Sequence, residues 1–134
     1  MTFVTSSRKS SPKVRRLAKE IAFALDLPYI QRGKAGLRTM DAEDPVIIFL
    51  SGAKRSGQIF DLTVSGKIVF SMLITNVLMS ERTVPFRHGF VIRERELLYD
   101  ALSPHLPVMF DAGAPGPIVF YGTQKMQYIL QVMV

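Results

Sequence analysis

One stretch constrains this chain more than any other. Residues 3–25 read as a short strand, a polar corner and an amphipathic helix, in that order. Phe3-Val4-Thr5 is the strand and Ser6 to Ser10 the corner. Ser11 is a good N-cap. Pro12 suits the first helical position, where its missing N–H is not needed. Val14, Leu17, Ala18, Ile21, Ala22 and Leu25 then recur at helical spacing as a single apolar stripe. The opposite side carries Lys13, Arg15, Arg16 and Lys19, with only Glu20 against them. The stripe must be buried, so the cations are left facing outward.

The charge of the chain is gathered in this region. Residues 1–40 hold nine Lys and Arg against Glu20 and Asp26, a net +7. The whole chain nets +6, so residues 41–134 sum to about −1. A localised basic field is what a polyanion meets first, which points to nucleic acid. A solvated Lys/Arg surface, an acidic protein or a membrane surface are the other readings of such a face.

Composition excludes several classes. With no Cys, the chain has no disulfide, thiolate metal site or Cys nucleophile. The N-terminus lacks a signal-peptide pattern, and the natural expectation is an intracellular, cytoplasmic protein. The longest apolar run, Ile68 to Met79, is 12 residues and is interrupted by Ser71, Thr75 and Asn76. A membrane helix needs ~20, so a soluble protein is expected. The length of 134 residues suits one domain, or two small halves sharing an interface.

The remaining elements follow in order. Leu27 to Gln31 reads as a short strand, held to an edge or a strand start by Pro28. A basic corner follows at Arg32 to Gly36, then a helical turn or two at Leu37 to Met40. Val46 to Leu50 is a continuous apolar run that fits a central strand buried on both faces. A crossover would set it parallel to the first strand, with the basic helix over one face. Gly52 to Gly57 is a basic hairpin tip, Gln58 to Val64 its return strand, and Ser65-Gly66 a two-residue turn. Lys67 to Met79 is a long strand with Ile68, Phe70, Met72 and Ile74 on one face and Val69, Leu73, Val77 and Met79 on the other. Both faces are expected to be largely buried, with Asn76 as a hydrogen-bonded core residue. After a polar loop from Ser80 to Gly89 come a brief strand (Phe90 to Ile92) and a helix (Arg93 to Ser103). That helix has Glu94 in its first turn and Leu97, Leu98, Ala101 and Leu102 as its apolar side. Strands at Val108 to Phe110, Ile118 to Tyr121 and Gln127 to Val134 complete the chain. The fold class is α/β, with mixed sheets and a good helix in each half.

Three groups of residues resemble one family in the right order. Val4-Thr5-Ser6-Ser7-Arg8, then Leu17-Ala18-Lys19-Glu20 and Arg32-Gly33, resembles the opening of the Brix-domain ribosome-biogenesis family. The strand from Gly66 to Met79, with Phe70, Leu73 and Thr75-Asn76-Val77-Leu78-Met79, is similar to that family's central signature. Ile118-Val119-Phe120 followed by Tyr128-Ile129 is similar to its last strand pair. The likeness runs nearly end to end and is greatest to the short archaeal members. One departure is plain: the family usually shows Gly-Pro-Thr where this chain has Gly66-Lys67-Ile68. The charged tails of eukaryotic members have no counterpart either.

The resemblance implies a single Brix domain over 1–134, in two similar α/β halves of about 1–80 and 81–134. It implies a fold like the anticodon-binding domain of class IIa aminoacyl-tRNA synthetases. It also implies ribosomal RNA binding during pre-rRNA processing and small-subunit assembly, with other assembly factors as further partners. No cofactor, membrane or small-molecule substrate is expected.

Catalysis finds little support in the residues. His88 and His105 each lack a nearby partner for a triad or zinc site and are expected in loops. Gly52 to Gly57 has phosphate-loop spacing, but Gln58-Ile59 stands where Lys-Ser/Thr is required. The expected RNA contacts are therefore electrostatic. Arg8 and Lys9 lie at the helix entrance, where free N–H groups and the dipole favour a phosphate. Lys13, Arg15, Arg16 and Lys19 are placed to follow a phosphate backbone. Arg32, Lys34 and Arg38 sit on the next crossover and extend the patch. Lys54, Arg55 and Lys67 lie at hairpin ends within reach of RNA. Phe23, opposite the stripe, would either stack an unpaired base or pack against the other half or a partner protein. The rival functions are a protein-scaffolding module, a small enzyme acting on RNA and a stand-alone tRNA anticodon binder.

Overall fold

A computed structural model describes residues 2–7, 9–31, 46–53 and 56–134. Strand β1 (Thr2–Ser6) leads through the polar corner into helix α1 (Pro12–Ala24). Strands β2 (Val46–Gly52), β3 (Gln58–Val64) and β4 (Lys67–Glu81) follow, then β5 (Phe90–Ile92). The second helix, α2, is irregular: a π-helical turn, Arg95–Tyr99, runs into a short α-helical piece, Asp100–Leu102. Strands β6 (Val108–Phe110), β7 (Ile118–Tyr121) and β8 (Met126–Met133) close the chain.

All eight strands form one mixed sheet in the order β1-β2-β3-β4-β8-β7-β5-β6. The two pairs bridged by helices, β1 with β2 and β5 with β6, are parallel, and the other neighbours are antiparallel. Among the described residues the element string β-α-β-β-β therefore occurs twice. The wiring differs, because β2 is the inner parallel strand of its pair and β5 that of the other.

The sheet curls. In a flat sheet β1 and β7 would lie five strand spacings apart, roughly 24 Å. Yet α1, only about 10 Å across, packs on β1 and β2 and also touches β7. Phe60 of β3 likewise meets Phe90 of β5 at 6.5 Å between ring centroids. Phe90 meets Phe120 at 5.5 Å, and Phe120 stacks on Tyr128 at 5.0 Å. Inside the curl lie the stripe of α1, the inward residues of the strands, and Leu98 and Leu102 of α2, as one apolar cluster. Ile47 and Ile48 are both fully buried, as a strand covered on two faces requires.

Several expectations are corrected. Leu27 to Gln31 forms no regular strand: Tyr29 makes a single parallel bridge to Val4, flanked by Val4 N–H to Pro28 O and Ile30 N–H to Val4 O. The helix expected over Arg93 to Ser103 starts at Arg95 in π geometry, with Glu94 just before it and making no side-chain cap. Leu97 faces solvent at 61% exposure, so the apolar side of α2 is Leu98 and Leu102. The long strand is not buried on both faces: Ile68, Val69, Leu78 and Met79 are exposed. Asn76 is exposed too, and its Oδ1 accepts from the Val77 N–H. The alternation of β4 is broken twice, first where Leu62 pairs with Phe70 and Thr63 with Ile68, leaving Val69 extra. Further on, Ile74 pairs with Val132 and Asn76 with Gln131, leaving Thr75 extra. One extra residue reverses the alternation beyond it. Val77 and Met79, opposite Leu130 and Tyr128, thus join the same face as Met72 and Ile74. The turn expected at Leu37 to Met40 lies outside the described residues.

Candidate nucleic-acid interface

The basic face depends on how α1 begins. Ser11 is extended (φ −66°, ψ 159°), and its hydroxyl accepts from the Val14 N–H at 3.3 Å. The Ser10 N–H closes the corner onto Ser7 O at 3.1 Å. Arg15 reaches back and donates from Nη1 to the Ser10 carbonyl at 2.6 Å. Arg15 is half-buried, so it clips the corner to the helix and offers less of its charge to solvent than its neighbours do.

At about 100° per residue, the four cations of α1 fall on the arc away from the stripe. Lys13, Arg16 and Lys19 are exposed. Lys19 Nζ lies 5.7 Å from the centre of the Tyr29 ring, on the β1 side. Lys13 and Arg16 border the other flank, toward β3, β4 and β8. Glu20 turns away to the β7–β8 turn, where it accepts from Thr123 N–H at 2.8 Å and Thr123 Oγ1 at 2.6 Å. Gly122 makes that approach possible, because a Cβ there would collide with Glu20 Oε2 and the Tyr128 ring. Among the described residues, no ion pair to an acid of the chain engages Lys9, Lys13, Arg16 or Lys19.

The other expected contacts separate. Lys9 is exposed in the corner before α1. Lys67 is exposed but pairs with Val64, whose register leads through Val46 to Thr2. That is the opposite end of β3 from Gln58, roughly 20 Å from the start of α1. Arg8, Arg32, Lys34, Arg38, Lys54 and Arg55 lie outside the described residues.

Between α1 and the sheet lies a cleft of about 440 Å³. Lys13, Arg16 and Leu17 form its helical wall, and Val77, Met79 and Tyr128 its strand wall. Gln58 also lines it. This residue opens β3 in the same alternation as Phe60 and Leu62 and is only 3% exposed. Its Oε1 is buried and accepts no hydrogen bond. An unsatisfied buried acceptor costs about 1–3 kcal/mol. Burial first, and then the nearby Glu20 carboxylate, raises the Tyr128 phenol above its ordinary value of 10.0, while Arg16 acts in the opposite direction. The sequence reading missed both Gln58 and Tyr128 as site residues. The available signal was a polar residue standing in the inward phase of an otherwise apolar strand.

Phe23 takes the packing role. Its ring meets Phe86 at 5.2 Å and His88 at 6.4 Å, so it closes against the loop before β5. His88 stands edge-on to Phe86 at 4.8 Å. His105 lies in the turn after α2, where its N–H donates to Leu102 O. Among the described residues, no three His, Asp or Glu are grouped to hold a metal. No helix of the described residues is long and apolar enough to cross a membrane.

The class these observations define is a mixed α/β protein. Among the described residues it has one curled eight-stranded sheet, two crossover helices and cations outward on the first. Solved structures share that fold, two of them as follows. Mil, an archaeal Imp4-like protein, aligns with 15% identity over 100% of this chain and 99% of its own, at a TM-score of 0.62. A probable ribosomal biogenesis protein from Aeropyrum pernix K1 aligns with 13% identity over 98% of this chain and 94% of its own, at a TM-score of 0.63. These neighbours agree with the Brix-like resemblance seen in the sequence. No protein-family model matches the chain, and no curated protein sequence matches it.

Proposed function

We propose that this chain is a ribosome-assembly protein of the Brix type that binds structured ribosomal RNA through the outward face of α1. On this reading residues 1–134 act as a single domain, built of two anticodon-binding-like halves, and the role is binding without a chemical step. The observation that carries it is the freedom of Lys13, Arg16 and Lys19: exposed, on one arc, and not ion-paired among the described residues. The fold of the two neighbours supports the same setting. Phosphate contacts from these cations provide affinity and orientation, and unpaired bases provide choice of site.

The test is a salt series on ribosomal RNA fragments. Affinity should fall with a log–log slope of about −0.7 to −0.9 per neutralised phosphate. Each of Lys13→Gln, Arg16→Gln and Lys19→Gln should lower that slope by about one contact. Unchanged slopes in all three variants would remove α1 as the RNA-binding face.

A further inference from the structure

We infer that the cleft between α1 and strands β3, β4 and β8 receives one unpaired RNA nucleotide. Its base lies inside with an N–H edge on Gln58 Oε1, and its flanking phosphates lie on Lys13 and Arg16. This inference rests on the RNA reading above and assigns it a specific pocket.

Three features of the cleft select that occupant. Its volume of about 440 Å³ falls within the ordinary range for small-ligand sites, roughly 300–1,000 Å³. Its walls are apolar or aromatic where they are buried, through Leu17 and Tyr128, and cationic at one rim, through Lys13 and Arg16. Its one buried polar end, Gln58 Oε1, is an acceptor without a donor. An acidic side chain would satisfy the cations but, being acceptor-only when ionised, gives Gln58 nothing. A nucleotide supplies both: anionic phosphates, and a flat base carrying an N–H donor on its edge. Single-stranded RNA is commonly read in this way, by bases splayed out, stacked and hydrogen-bonded on their edges. The bulge in β4 makes the pocket. Without the extra Thr75, Val77 and Met79 would point to the other face of the sheet. The Phe23, Phe86 and His88 cluster is a poorer platform, because its rings already pack on one another.

The experiment uses the full chain and labelled RNA hairpins of one length in fluorescence anisotropy. One hairpin is fully paired and one carries a single bulged uridine. One carries an abasic residue at the bulge, and one carries N3-methyluridine there. The bulged uridine should bind about tenfold more tightly than the paired hairpin. The abasic and N3-methyl hairpins should lose most of that preference, since the first lacks the base and the second its N–H donor. Gln58→Leu should erase the preference for the uridine bulge over the abasic bulge. Equal affinity for uridine and abasic bulges overturns the pocket while backbone docking on α1 stands. Absence of binding to every hairpin overturns both the pocket and the RNA reading. The RNA substitutions test the pocket even if the Gln58 variant folds poorly.

Discussion

The two crossover helices do the same topological work and are built in opposite ways. Each links a pair of parallel strands, α1 between β1 and β2, α2 between β5 and β6. Helix α1 runs 13 residues, has a side-chain cap from Ser11 and Pro at its start, and buries a full stripe. Helix α2 begins in π geometry with no side-chain cap and buries Leu98 and Leu102. The charges differ too. The outer face of α1 is basic, whereas α2 carries Glu96 and Asp100 beside Arg95, whose guanidinium lies over the Tyr99 and Phe110 rings. Topology therefore demands a crossover but not a particular helix. The regular, well-capped helix is the one that presents cations at fixed spacing, as the proposed docking on RNA phosphates requires.

The two helices should differ most in how much each contributes to the core. Leu17 is 4% exposed, and Leu17→Ala should lower unfolding free energy by about 2–5 kcal/mol. Leu97→Ala on α2, at 61% exposure, should change it by less than about 0.5 kcal/mol in the same denaturant titration. Next comes charge. Reversing Lys13, Arg16 and Lys19 together to Glu should weaken ribosomal RNA binding about a hundredfold, or about 2.7 kcal/mol. Arg95→Glu on α2 should leave the affinity within about twofold. Equal losses from the two helices would end the distinction.

Smaller effects sharpen the contrast. Ser11→Ala should cost about 1 kcal/mol by removing the cap. Glu94→Ala, at the equivalent place before α2, should cost almost nothing, because Glu94 caps no N–H. The smallest expected effect is alkaline. The folded protein holds the Tyr128 proton more tightly than the unfolded chain does. That contribution to stability is complete below pH 10.0 and is lost as pH rises through the folded value. Thermal melts of Tyr128→Phe should therefore decline less steeply than those of the unmodified chain above that pH.

Local chemistry made much of this fold legible. The cap at Ser11, the stripe of α1 and the apolar run in β2 each follow from residues a few positions apart. So does the turn at Ser65-Gly66, where both residues take positive φ, 51° and 82°. The cations of α1 were readable for the same reason. Lys67 shows where that reasoning stops: its neighbours in sequence place it at a hairpin, but strand register puts it at the far end of the sheet. Leu97 and Leu98 are adjacent and alike, and only packing decided which of them is buried.

Helical period and capping act over one or two turns, so residues a few positions apart set the elements and the side of α1 on which charge collects. How those elements come together as a candidate site depends on packing and strand register. Pairing β4 with β3 along one half and β8 along the other places a bulge between the two registers. That bulge sets Val77 and Met79 on the face of the sheet that meets α1, and the two residues line the cleft beside the helix. Hydrogen-bond register between strands separated by more than 50 residues sets that geometry, and no local pattern of apolar and polar residues encodes it.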